Sequence, residues 1–284
     1  MGMSQFKQLT DWAISMVQEG NVDYALSELN NKINQGNSDA YGVLGAFYIY
    51  GVGVDIDVNR GLDLLQQSIN MGNGDAAYEM ALLYHGQDNI LTRNEYKERE
   101  YLEIGANLGN GQCCVPLSYS YMNGEGVPKD DYKAYRYAKT ASEQGIPDGM
   151  MNYAICLAEG IGTSPNPFEA VRWFKEFLNY EPENEFAMLE ITQCLADPYE
   201  MYGIVPSHDM LQEAYYYCCK AVEKGNVEAH LICGWFYEMG KVVPQDYETA
   251  HRFIQIAADN GHEFAKEHLK VYMKNIYGQY YIPN

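Results

Sequence analysis

The hydrophobic positions of this chain recur in a set order about every 36 residues. Each unit opens on a small residue, at Ala40, Ala76, Cys113, Gly149, Ala187, Ala229 and Ala265. Four residues later stand Leu44, Met80, Leu117, Tyr153, Ile191 and Cys233, and one turn further Tyr48, Tyr84, Tyr121, Leu157, Leu195 and Tyr237. An i, i+4, i+8 spacing puts the three on one stripe of a helix, which predicts a buried face. The position just after the second member is always small (Gly45, Ala81, Ser118, Ala154, Thr192, Gly234), so a neighbouring helix can come close. A second helix is predicted after each first one. There Ala134, Ala170, Ala214 and Ala250 precede Tyr137, Trp173, Tyr217 and Phe253 by three residues, the pattern of a helix-pairing face.

Turn chemistry separates these helices. Gly36, Gly72, Gly109 and Gly145 are 36, 37 and 36 residues apart, and the 36 returns between Gly225 and Gly261. The missing beat falls at Glu181. In Gly36-Asn37, Gly72-Asn73, Gly109-Asn110 and Gly225-Asn226, as in Gly20-Asn21, a glycine ends one helix in the left-handed conformation and an asparagine caps the next. Turns such as Gly51-Val52-Gly53, Gly124-Glu125-Gly126-Val127-Pro128 and Gly160-Ile161-Gly162 join first to second helices, with Asp57, Asp130 and Asp246 as caps.

The pattern A-x3-L-G-x2-Y-x2-G-x-G-V-P-x-D-x3-A-x2-W/Y-x3-A-x3-G lies over Cys113 to Gly145 and over Ala229 to Gly261. In this the chain resembles the Sel-1-like repeats, cousins of the tetratricopeptide repeat. Two units depart from it: the one after Ala76 has lost its Gly-x-Gly turn at His85-Gly86-Gln87-Asp88, and the one after Ala187 is longer, with extra residues around Asp197 to Ser207. The resemblance implies an all-α, right-handed superhelical solenoid of antiparallel helix pairs, first helices lining the concave side. It also implies a single domain over 1–284: a capping half-unit 1–39, repeats at 40–75, 76–112, 113–148, 149–186, 187–228 and 229–264, and a C-terminal capping helix 265–284. Such stacks bury a continuous core that no single repeat makes alone.

Composition narrows the function classes. Lys and Arg total 19 against 39 Asp and Glu, a formal net charge of −20 that repels phosphate backbones and anionic lipid and favours a basic protein partner. The N-terminal segment is too polar for a signal peptide, and no apolar run approaches the ~18 residues of a membrane span. The expectation is therefore a cytoplasmic protein without nucleic-acid or membrane partners. Gly2 lacks the hydroxyl residue that a myristoylation signal needs, since Phe6 stands there. Seven cysteines, with no Cys-x-x-Cys, are expected to be free buried thiols.

Catalytic and metal readings fare poorly. His262 and His268 are six apart, on different faces of a helix, and no Cys/His ligand spacing occurs, so neither a metal nor a cofactor is expected and both histidines are read as solvated helix termini. Ser4-x-x-Lys7 matches the nucleophile spacing of penicillin-binding enzymes without their companion motifs. The alternative function, a β-lactam-binding or β-lactam-hydrolysing enzyme like some cysteine-rich Sel-1-like relatives, rests on that tetrapeptide.

What remains is protein binding. Tyr119 and Trp235 share a first-helix position turned away from the buried stripe, and Met122, Met151 and Met239 join them as apolar anchors. Acids interleave at Glu79, Glu125, Glu159, Glu190 and Glu238, and Tyr199 and Tyr202 lie in the long-unit insertion. The function expected is a non-catalytic binding protein, an adaptor or scaffold or an immunity protein that neutralises a toxin. Its protein-binding residues would be Glu79, Tyr119, Met122, Met151, Glu159, Glu190, Tyr199, Tyr202, Trp235, Glu238 and Met239.

Overall fold

The structure is a computed structural model and describes residues 4–86, 88–196 and 205–283. It divides into two compact units, Met1–Asn152 and Tyr153–Asn284. The first contains α1 (Gln5–Gln18), α2 (Val22–Asn34), α3 (Ser38–Tyr50), α4 (Val58–Asn70), α5 (Gly74–His85), α6 (Glu95–Asn107), α7 (Gly111–Asn123), α8 (Asp131–Glu143) and the start of α9 (Pro147–Glu159). The second continues with α10 (Pro167–Leu178), α11 (Glu185–Ala196), α12 (His208–Glu223), α13 (Val227–Met239), α14 (Tyr247–Asp259) and α15 (Glu263–His268).

Each unit is a stack of helix pairs, and the pairs are those the periodicity predicts: α3 on α4, α5 on α6, α7 on α8, α11 on α12, α13 on α14. The small column is fully buried at Ala40, Ala76, Cys113, Ala187, Ala229 and Ala265. Close approach needs the absent side chains, because a Cβ on Gly45 would stand 2.8 Å from the Gly61 carbonyl oxygen and one on Gly61 2.4 Å from Ile49. The aromatic pairing also forms, with Tyr137 stacked on Tyr121, Phe253 on Tyr237, and Trp173 edge-on to Tyr153. Tyr217 instead packs against its neighbour Tyr216.

The corners form as written in the sequence. The side chains of Asn37, Asn73, Asn110 and Asn226 accept from the backbone N–H three residues on, at 2.9–3.1 Å, whereas Asn21 makes no such bond. Asn73 and Asn110 also donate to Asp39 and Asp75 of the preceding repeat, at 2.8 and 2.7 Å. The Asn73 and Asn110 corners therefore cap their own helices and tie them to the repeat before.

The turns between first and second helices close in the same way. The N–H groups of Asp57, Asn94 and Asp130 donate to the carbonyls of Tyr48, Tyr84 and Tyr121 at 2.8–3.0 Å. Each cap accepts from the N–H of Arg60, Lys97 or Lys133, and that residue's cation lies over the same tyrosine at 4.1, 4.8 or 4.5 Å. Tyr121 is buried, but Tyr48, Tyr84 and Tyr237 are only half-buried, at the rim of the core instead of inside it. In the repeat without Gly-x-Gly, Gly86 is left-handed and Asn89 takes the second positive φ, 54°; asparagine tolerates that region better than most residues.

Two expectations need correction. The C-terminal capping helix 265–284 is not formed: α15 ends at His268, a 3₁₀ turn covers Leu269–Val271, and Met273–Lys274 pairs antiparallel with Tyr280–Tyr281. Asn275 and Gly278 (φ 79°) make a turn there, and Tyr272 and Tyr280 draw the chain back onto His251 of α14. The two histidines are part-buried and paired instead of simply solvated. His262 replaces the corner asparagine: its Nδ1 accepts from Ala265 N–H, and its Nε2 bonds Glu228 at 2.5 Å. His268 bonds Glu238 at 2.9 Å.

All seven cysteines are free thiols, and six are buried. Burial pushes the Cys114 and Cys194 thiols up to about 11 and about 12. No described helix is long and apolar enough to cross a membrane, and no described His, Cys, Asp and Glu side chains group as metal ligands.

Candidate protein-binding site

In the first unit the structure brings Tyr119 and Met151 together. Tyr119, on α7, is 49 % exposed. It lines a recess of about 380 Å³ with Val115, Pro116 and Ser120 of its own helix and with Asp148, Met151 and Asn152 of α9. Met122 is half-buried on α7 outside this recess. Asp148 and Pro116 are additions that sequence reasoning missed. The signal for Asp148 was its register, since Asp39, Asp75 and Glu228 likewise stand three residues after a corner glycine.

Glu79, on α5, is half-buried, and its carboxyl is held above the usual range by burial first and then by Asp75 and Asp88. Asp88 accepts from the Tyr50 hydroxyl at 3.2 Å. No cation is paired with Glu79 among the described residues.

In the second unit Glu190 repeats this arrangement. It occupies the same first-helix register as Glu79, three residues after the small column. Burial, and secondarily the exposed Glu159, push its carboxyl up to about 7, and no described cation is paired with it. Two half-buried carboxylates without a counter-charge are unusual where the same chain pairs Lys175 with Glu213 and Arg172 with Glu169.

Three further candidates lie on α13, and the structure separates them. Met239 is exposed. Trp235 packs edge-on to Phe264 and His268, with ring centres 6.0 and 6.3 Å apart. Glu238 accepts from His268 and from the Tyr272 hydroxyl and is mostly buried. Trp235 and Glu238 thus hold the C-terminal segment, and Glu238, expected among the protein-binding residues, is already engaged by His268 and Tyr272. Tyr199 and Tyr202 lie outside the described residues.

The Sel1 repeat model matches residues 38–73, 74–110, 113–146, 147–177, 196–226 and 227–262, well over half of the chain. The chain belongs to the Sel1 repeat family. The segment 178–195, which contains all of α11 but its last residue, falls between two matches.

Among curated proteins, the chain is similar to a chitin synthase regulator of Malassezia restricta, 29 % identical over 46 % of this chain and 9 % of that protein. It is also similar to cytochrome c oxidase assembly factor 7A of Xenopus laevis, 27 % identical over 47 % of this chain and 61 % of that one. The chain thus spans less than two thirds of either relative. A protective antigen of uropathogenic Escherichia coli with an SLR fold superposes with a TM-score of 0.60 at 19 % identity, over 94 % of this chain and 59 % of that one. That likeness concerns the fold alone.

Proposed function

We propose that this Sel1 repeat protein is a non-catalytic binder that holds a basic protein partner against the outward face of its first helices. Sel1 repeats generally serve protein–protein interaction, and the regulator and assembly-factor names of the two curated relatives fit an adaptor or scaffold role. The observation that carries the basic-partner reading is the repeated uncompensated carboxylate. Glu79 and Glu190 occupy one register in different repeats, and both are kept half-buried without a cation. A lysine or arginine from outside would supply the missing charge, and the overall −20 would steer it in.

The test begins with capture of the partner on the full chain in its native host, followed by binding kinetics with the purified partner. Glu190→Lys is expected to slow association about tenfold at low salt and to lose most of that effect near ~0.5 M salt, where screening is complete within a few ångströms. The partner should be released with unchanged mass. An association rate indifferent to Glu190→Lys removes the basic-partner reading, and a partner released chemically altered removes the non-catalytic one.

A further inference from the structure

Tyr48, Tyr84 and Tyr121 each have a cation of the chain over the ring, at 4.1, 4.8 and 4.5 Å. Tyr119 has none among the described residues, although half of its surface is open. The acid that shares its recess is equally unmatched. Asp39, Asp75 and Glu228, in the same register as Asp148, accept from Asn73, Asn110 and His262 of the following repeat. Asp148 is exposed and its carboxylate has no hydrogen bond or ion pair among the described residues.

We infer that the recess between α7 and α9 is a slot for one lysine or arginine side chain of the protein partner. The inference rests on the basic-partner reading above. The aliphatic stem would lie along Val115, Pro116 and Met151, and the charged head would sit over the Tyr119 ring within reach of Asp148. This is the contact the described residues make internally over six tyrosines, with the cation supplied from outside. Asn152 adds an acceptor at the rim: its Nδ2 donates to Ser118 Oγ at 2.7 Å, which leaves its Oδ1. A phosphate-bearing ligand would meet the Asp148 carboxylate with like charge, and an uncharged apolar side chain would use the stem contacts alone.

The test is fluorescence anisotropy of a labelled peptide of alternating arginine and alanine, roughly a dozen residues long, with the full chain at low ionic strength. Tyr119→Ala should weaken binding about three- to fivefold and Tyr119→Phe should leave it unchanged, as expected for a cation over an aromatic face. Asp148→Asn should weaken binding by a similar factor. Asp63→Asn, which removes the same charge from an exposed position on α4, should have little effect. A peptide with norleucine for arginine should not bind.

Equal losses for Asp148→Asn and Asp63→Asn would mean general charge attraction and refute the slot. So would an unaffected Tyr119→Ala, or no binding by the unaltered chain. A captured partner that responds to Glu190→Lys but ignores both recess variants refutes the slot and leaves the basic-partner reading standing.

Discussion

Glu190 shows how one side chain reports its surroundings. Burial and the neighbouring Glu159 raise its carboxyl from 4.5 to about 7, and the Cys194 thiol one turn along the helix is itself raised to about 12 with Glu190 as a contributing charge. A folded-state value above the unfolded one means the folded chain holds the proton more tightly. The resulting stabilisation is complete below about pH 4.5 and is lost as pH rises through about 7. Glu190→Gln removes the charge and keeps the shape. It is expected to raise Tm by about 2–4 °C at pH 8 and by much less at pH 5. Thermal melts at the two pH values check this, and a lower Tm at pH 8 would show that the carboxylate is already satisfied within the chain. The register of Glu190 was legible in the sequence, but its lack of a cation was not, because that depends on which side chains of other helices come near.

Among the elements, α15 depends most on its neighbours. Six residues are too few for a helix that stands alone. It persists because Ala265 is buried, His262 caps it, and Trp235 of α13 packs on Phe264 and His268. The hairpin beyond it rests on α14, where Tyr280 stacks on His251 at 3.9 Å and its N–H donates to Glu248 at 2.9 Å. Trp235→Ala should therefore loosen this terminal segment before anything else. Hydrogen exchange is expected to speed up about tenfold or more, roughly 1.4 kcal/mol, in α15 and the hairpin, with α11 unchanged. Uniform acceleration through the second unit would contradict a local role. Trp235 and Tyr119 look alike in sequence, sharing one register, yet one is a packing residue and the other is open. The difference comes from Phe264 and His268, about thirty residues downstream, which no local pattern connects to Trp235.

For the molecule as a whole, charge is the dominant long-range term. An excess of 20 negative charges repels itself across the surface, and among the described residues nine pairs within 4 Å that offset it join Lys or Arg to Asp or Glu. Exposed pairs of that kind contribute little. Added salt shortens the reach of the repulsion from ~10 Å at 0.1 M to ~3 Å at 1 M. Tm is therefore expected to rise as sodium chloride increases from about 20 mM to about 0.5 M, before any salting-out regime. Calorimetry across that range is the check, and a falling Tm would mean that attractive pairs outweigh the repulsion.

By itself the sequence determined the repeat length, the alternation of first and second helices, the buried columns and the Gly-Asn corners. These follow from contacts within a turn or two of helix and from backbone conformations that glycine and asparagine favour, so spacing alone reveals them. It did not determine how the chain ends. The apolar spacing continues from Ala265 to Leu269 and Met273, yet the helix stops at His268, and the hairpin forms because Tyr272 and Tyr280 find His251 and Glu248 on another helix. Nor did it determine which polar and aromatic residues stay available on the first helices. Glu238 is taken by His268 and Tyr272, thirty and 34 residues away, while Tyr119 and Asp148 meet in a recess with no hydrogen-bond or ion-pair partner for either side chain among the described residues. Availability is settled by long-range packing, which only the tertiary structure supplies.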